Sequence, residues 1–184
     1  MILEYNFFSE IYDIDYKNFD ISNVPYKDMF DYIYKFSPIT IRKHIDSLKR
    51  IDQRPDYHPE GNVYIHTKVV TNRLSKTKDI NLILSGFLHD TGKDRTTETK
   101  DGIIRQPGHE KYSAELLNVG SPWRKWISLL GGNPYIVKFI ISKHMIMKNL
   151  IGNKKNQRWF DSLNSRLQKY LIDFSKADKG GVDI

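Results

Sequence analysis

Apolar positions along this chain recur mainly at helical spacing, and few stretches alternate in the manner of a strand. Ser37 and Pro38 are expected to open a helix, the serine as cap and the proline in the first turn. Ile41, Ile45, Leu48 and Ile51 form its apolar stripe, Arg42, Lys43, Lys49 and Arg50 its other face, and Pro55 stops it. A turn-like stretch covers residues 54–61, after which Asn62 caps a helix holding Val63, His66, Val69, Val70 and Leu74. The next predicted helix runs from Asp79 to Asp90, burying Ile80, Ile83, Leu84, Phe87 and Leu88, with Gly92 just beyond as a left-handed C-terminal cap. Residues 93–107, rich in Thr, Lys, Asp, Gly and Pro, are expected to be a loop. A short helix starts at His109, and another at Pro122 that Gly131, Gly132, Asn133 and Pro134 break. Residues 135–150 predict an apolar helix containing His144, residues 152–158 a basic loop, and residues 159–178 the last long helix. The expected fold class is all-α.

Composition narrows the class. At 184 residues, 39% hydrophobic and 28% charged, the chain has the size and balance of one soluble domain. It has no run of 18 apolar residues, so no membrane partner is expected, and its opening lacks a basic n-region. Zero cysteines exclude disulfide and thiolate chemistry and suit a reducing cytoplasm. Richness in Lys, Asn and Ile fits an AT-rich genome such as that of a phage, which would place the protein in a host cytoplasm. The net charge of +7 favours anionic partners such as nucleotides or RNA, although a lysine-rich surface also serves solubility.

The charge is uneven. Residues 1–36 hold seven acids against three lysines, interleaved with Tyr and Phe from Tyr5 and Phe7 to Tyr34 and Phe36. Aromatics among acids do not suit nucleic-acid stacking. Residues 1–36 are therefore expected to be a lid or brace on a domain spanning 37–184, with a partner-docking surface as the alternative.

The candidate chemistry lies in four short fragments: His66, the adjacent His89 and Asp90, then His109 and His144, and finally Asp178. Imidazoles with carboxylates and no thiolate suit Mn²⁺, Fe²⁺, Co²⁺, Ni²⁺ or Zn²⁺, with Mg²⁺ possible where water completes the shell. Adjacent ligands such as His89 and Asp90 meet one ion best where a helix ends, because neighbours on a helix point about 100° apart. Each residue alone is weak, and His144 in its apolar surroundings also reads as a core histidine. The spaced set carries the inference.

That set, together with residues 57–67 (YHPEGNVYIHT) and 86–93 (GFLHDTGK), resembles the HD-domain superfamily of metal-dependent phosphohydrolases. It is closest in motif to the HD domains of bacterial tRNA nucleotidyltransferases and of RNA-end-healing enzymes fused to polynucleotide kinases. Gly108, His109, Glu110, Ser113 and Ala114, and the pair Ala177 and Asp178, extend the resemblance over about residues 54–180. It implies an HD-domain helical bundle with His66, His89, Asp90 and Asp178 as primary metal ligands. It further implies that His109 and His144 bind a second ion, with Asp90 bridging. Asp90 would orient or deprotonate water, and Lys93 would bind a phosphate oxygen, with Arg95 and Thr96 as weaker assistants. His58 and Glu60 would frame the substrate pocket, or His58 would order its turn. Lys148, Lys154, Lys155 and Arg158 cluster near Trp159, as a solvated helix face or as phosphate contacts.

The expected function is hydrolysis of 2′,3′-cyclic and terminal phosphates on nucleotides or RNA. The enzyme alternative is a nucleotidase or dNTP triphosphohydrolase. The alternative of another class is a non-catalytic nucleotide- or protein-binding regulator with a vestigial site.

Overall fold

The computed structural model describes Ile11 and residues 13–179. Glu4, Tyr5, Phe7 and Glu10 of the acidic segment, and Gly180 and Gly181 after the last helix, lie outside the described residues. Two 3-10 turns, Tyr16–Asn18 and Tyr26–Asp28, precede α1 (Met29–Lys35) and α2 (Ile39–Ser47). The centre of the molecule is α3 (Val63–Leu74) packed on α4 (Ile80–Leu88). Then come a one-turn α5 (Lys93–Thr96), the hairpin β1 (Glu98–Lys100) and β2 (Ile103–Arg105), and α6 (His109–Glu115). The C-terminal part consists of α7 (Pro122–Leu129), α8 (Pro134–Lys148), α9 (Lys154–Asp161) and α10 (Ser165–Asp178). The fold is all-α apart from the short hairpin. No helix among the described residues is long and apolar enough to cross a membrane.

Local chemistry explains the frame. Asn62 Oδ1 accepts from the Ile65 amide at 3.0 Å and starts α3; Asp79 caps α4 through the Asn81 amide at 2.8 Å. Helix α4, INLILSGFL, is apolar nearly all round, and seven of its nine residues are buried, as a helix through the middle of a core must be. Gly86 lets α3 come close: a Cβ there would lie 2.7 Å from Leu74 Cδ1 and 3.2 Å from Thr71 Cα. Helix α8 packs against α4, α6 and α10, so one long helix ties together the elements that carry most of the candidate ligands.

The described part of the acidic segment shares the main core. Ile11, Met29, Phe30, Ile33 and Phe36 cluster with Ile41, Ile45, Phe87, Trp126 and Ile141. Asn72 of α3 stitches it down, accepting from the Phe30 amide at 2.8 Å and donating to the Lys27 carbonyl at 2.6 Å. Trp126 Nε1 donates to the Phe36 carbonyl at 2.8 Å.

Four expectations change. Ser37 does not cap α2; its hydroxyl donates back to the Ile33 carbonyl at 2.8 Å, so it closes α1 instead. Gly92 is not a left-handed cap, for its φ is −76°. It is a close-approach glycine, since a Cβ would collide with the His109 carbonyl and lie 2.7 Å from the Ser113 amide. Residues 93–107 are not all loop: Asp101 and Gly102, both at positive φ, turn a hairpin that three-residue strands are too short to announce by alternation. Residues 154–161 are helix α9, capped by Asn153, and the last helix begins only at Ser165, capped by Asn164. Basic composition suggested a loop there, yet Lys and Arg are good helix formers once a cap supplies the first turn.

Candidate metal centre

Helix ends bring the fragments together. His66 projects from the first turn of α3, and His89 follows the last residue of α4 with Asp90 next to it. His109 opens α6, His144 lies one turn before the end of α8, and Asp178 is the last residue of α10. All six side chains are buried. His66 Nε2 lies 3.0 Å from Asp178 Oδ1 and 3.6 Å from Asp90 Oδ2. His89 Nε2 is 3.1 Å from Asp90 Oδ2 and 3.7 Å from Asp178 Oδ1. The other carboxylate oxygen, Asp90 Oδ1, faces His109 Nε2 at 3.2 Å. Ligand atoms of His66, His89 and Asp178 all lie within 4.8 Å of one another, and so do those of Asp90, His109 and His144. Asp90 therefore stands at the junction of two groups, one oxygen toward each.

The histidine tautomers are the informative detail. His89 Nδ1 lies 2.8 Å from the Gly86 carbonyl, His109 Nδ1 2.8 Å from the Gln106 carbonyl, and His144 Nδ1 2.7 Å from the Ile141 carbonyl. A carbonyl only accepts, so each Nδ1 carries a proton and each ring turns its Nε2 inward. His66 Nδ1 donates likewise to Glu60 Oε1 at 2.5 Å. His109 Nε2 and His144 Nε2 face each other at 3.3 Å, close enough together to hold one cation. His89 Nε2 and Asp90 Oδ1 are buried without a hydrogen bond, and Asp90 Oδ2 has an ion pair with Lys93 Nζ. Buried polar atoms are rarely orphaned, and each costs about 1–3 kcal/mol when it is. The donor set fits one or two divalent ions, which would satisfy those atoms at once.

Electrostatics agree. Burial alone would raise the Asp90 and Asp178 carboxyls, but their neighbours hold both well below the usual carboxylate range. For Asp90 these are His89, Lys93 and His109; for Asp178 they are His66 and Lys148. Burial works against charge on His66 as well, yet bonding to Asp178 and Glu60 raises it. The carboxylates that favour a proton on His66 would favour a divalent ion more. Burial pushes His144 down to about 3, so its ring is neutral and free to ligate near pH 7.

Comparison with known proteins finds partial similarity over less than half of the chain. It is 33% identical over 78 residues to the Multifunctional CCA protein of Burkholderia multivorans, covering 42% of this chain and 18% of that protein. The protein of the same name from Burkholderia vietnamiensis is 31% identical over 91 residues, 48% of this chain and 22% of the relative. That of Paraburkholderia phymatum is 36% identical over 74 residues, 40% and 17%. The chain thus spans about a fifth of the length of these curated relatives. No family model matches it, and no solved structure matches it significantly.

The remaining candidate residues fall around this centre. Glu60 sits behind His66, on the ring edge opposite Asp178, and holds its tautomer; His66 and His58 draw it down to about 2 against the effect of burial. His58 rests edge-on to His66 with ring centroids 4.5 Å apart and its Nδ1 3.2 Å from Glu60. Lys93 Nζ is buried, 2.8 Å from Asp90 Oδ2 and 2.5 Å from Gln53 Oε1. Arg95 is exposed on α5, outside the buried cluster.

Two contributors were not expected, and a third, Lys148, was expected only as a phosphate contact or part of a solvated helix face. Gln53, only 3% exposed, anchors Lys93. His44 Nε2 lies 3.0 Å from the Thr91 carbonyl and steadies the turn after Asp90. Lys148 reaches Asp178 Oδ2 at 3.1 Å. Only Lys148 left a trace in the sequence, since it follows His144 by one helical turn.

Proposed function

We propose that this chain is an HD-type metal-dependent phosphohydrolase acting on nucleotide or RNA phosphate esters, 2′,3′-cyclic and terminal phosphates in particular. The observation that carries the proposal is the inward convergence of the Nε2 atoms of His66, His89, His109 and His144 on the buried carboxylates of Asp90 and Asp178. The resemblance to HD domains of tRNA nucleotidyltransferases and the partial similarity to Multifunctional CCA proteins support an enzyme of nucleotide or RNA chemistry.

In this reading His66, His89, Asp90 and Asp178 hold one ion, and Asp90, His109 and His144 hold a second. A bound divalent ion would supply Lewis acidity toward water and toward a phosphoryl oxygen. The chain's own part is positioning. Glu60 fixes the His66 tautomer, and carbonyls fix those of His89, His109 and His144. Asp90, held far below the ordinary carboxylate range, is a weak base, so its role is to orient the attacking water rather than to keep its proton. Lys93, clamped by Gln53, neutralises the charge that gathers around Asp90. Burial of the cluster lowers the local dielectric and strengthens each of these contacts.

A phosphate-release screen tests the proposal. The unaltered protein is offered Mn²⁺, Ni²⁺, Co²⁺ or Mg²⁺ with 2′,3′-cyclic nucleotides, 2′- and 3′-nucleotides, RNA with matching ends, 5′-nucleotides and dNTPs. Turnover of cyclic or 2′/3′ ends that Asp90→Ala abolishes is the expected result. Turnover of dNTPs or 5′-nucleotides alone would shift the assignment to a nucleotidase or dNTP triphosphohydrolase. Silence with every ion would leave the non-catalytic regulator.

A further inference from the structure

The cations around the two carboxylates are not equivalent. Lys93 is 4% exposed and tied at both ends, to Asp90 Oδ2 and to Gln53 Oε1. Lys148 ends α8, four residues beyond His144, so α8 directs both side chains to the same centre. Its Nζ lies 3.1 Å from Asp178 Oδ2, while about a third of the side chain, 35%, stays exposed. Asp178 meanwhile turns its other oxygen to His66. Lys148 thus runs from solvent to the metal ligands, on the outer oxygen of a carboxylate that faces inward with the other.

That placement has a physical consequence. The Lys148 ammonium and a divalent ion contend for one carboxylate, and they repel each other across it. A lysine carries a compact point charge on a four-carbon stem, so it can swing from the carboxylate to an incoming anion at little conformational expense. A phosphoryl group approaching the centre from solvent brings oxygens that accept charge-assisted hydrogen bonds from an ammonium. We propose that Lys148 contacts the substrate, leaving Asp178 for a phosphoryl oxygen as the phosphate reaches the metal centre. The inference rests on the phosphohydrolase reading above and adds to it a residue that determines phosphate affinity.

The test separates this role from a merely structural ion pair by the sign of two binding changes. Mn²⁺ affinity of the full chain is measured by calorimetry, followed by inorganic phosphate affinity at saturating Mn²⁺, for the unaltered protein, Lys148→Gln and Lys148→Arg. The expected result is phosphate binding at least about tenfold weaker in Lys148→Gln, roughly 1.4 kcal/mol. Its Mn²⁺ binding should be unchanged or tighter, because a competing cation has gone. Lys148→Arg should stay within about threefold of the unaltered protein for phosphate, a difference below roughly 0.7 kcal/mol. Unchanged phosphate affinity in Lys148→Gln, or a parallel loss of Mn²⁺ affinity, overturns the assignment and leaves a structural ion pair. Mn²⁺ binding by the unaltered protein with no phosphate binding overturns Lys148 while sparing the metal centre. No Mn²⁺ binding by the unaltered protein overturns both.

Discussion

Two parts of this molecule are equally dry and chemically opposite. Around Phe30, Phe87 and Trp126 the interior is apolar, its rings in tilted contact, and the polar atom Trp126 Nε1 is satisfied by the Phe36 carbonyl. Around Asp90 the interior consists of ionisable groups, several of them with no hydrogen bond, on helices that the apolar region holds in place. The first region lowers the free energy of the fold by burying apolar area. The second opposes folding, because buried charge and buried polar atoms without partners are unfavourable unless something is bound. Selection for stability alone would not retain it, and that contrast is the best physical reason to regard the polar region as a binding site.

The contrast breaks or sharpens by experiment. The largest change expected is in the apolar region, where Trp126→Ala should destabilise the protein by about 3–5 kcal/mol in urea unfolding. Metal affinity of the fraction that remains folded should not change; a large loss of affinity would mean the two regions are not separable. Next, a divalent ion at about 100 times its dissociation constant should stabilise the unaltered protein by about 2.7 kcal/mol. Asp178→Ala should lose most of that gain. An ion that leaves the unfolding midpoint unmoved would remove the case for a metal centre.

The third effect lies behind the ligands. Glu60→Ala frees the His66 ring to rotate and change tautomer, and should weaken Mn²⁺ binding about 10- to 100-fold. Calorimetry reads this directly, and unchanged affinity would return Glu60 to the role of a wall of the substrate pocket. The fourth effect is that of pH without added ion. Burial, aided by the charges of His66 and Lys93, lowers His58 to about 4, and burial lowers His144 to about 3. Both return to about 6.5 on unfolding, so the unfolded chain binds more protons and stability falls as pH drops from about 6.5 toward 4. Glu60, at about 2 when folded, adds a loss as pH falls from the ordinary carboxylate range toward that value. His66 is raised and acts with the opposite sign: its contribution is complete below about 6.5 and is lost as pH rises through its folded value. His66 offsets only part of the acid loss, so the protein should be less stable at about pH 4.5 than at about pH 7.5. A urea midpoint that rises over that interval on acidification would contradict it.

Legibility varied with the kind of signal. Asn62 and Asp79 cap their helices by side-chain bonds to amides two or three residues on, a local interaction that a short window contains. Asn153 is an equally good cap, yet the lysines after it masked α9 as a loop. Asp101 and Gly102 carried a hairpin-turn signal, but three-residue strands supply almost no periodicity to accompany it. The local pattern around Gly92 suggests a helix cap, but its constraint comes from α6, which begins seventeen residues later.

The sequence by itself determined the all-α class, most helix starts and the residue types of the candidate centre. Those follow from periodicity, capping and the donor chemistry of imidazole and carboxylate, all short-range properties. Only the tertiary structure decided which Asp90 oxygen meets which histidine, which ring nitrogen carries each proton, and that Glu60 stands behind His66. The same holds for Lys148, which shares Asp178 with the interior, and for Gln53, which holds Lys93 from forty residues away. These are contacts between helix ends distant along the chain, set by how α3, α4, α8 and α10 pack, and no local pattern encodes the distance between two helix ends.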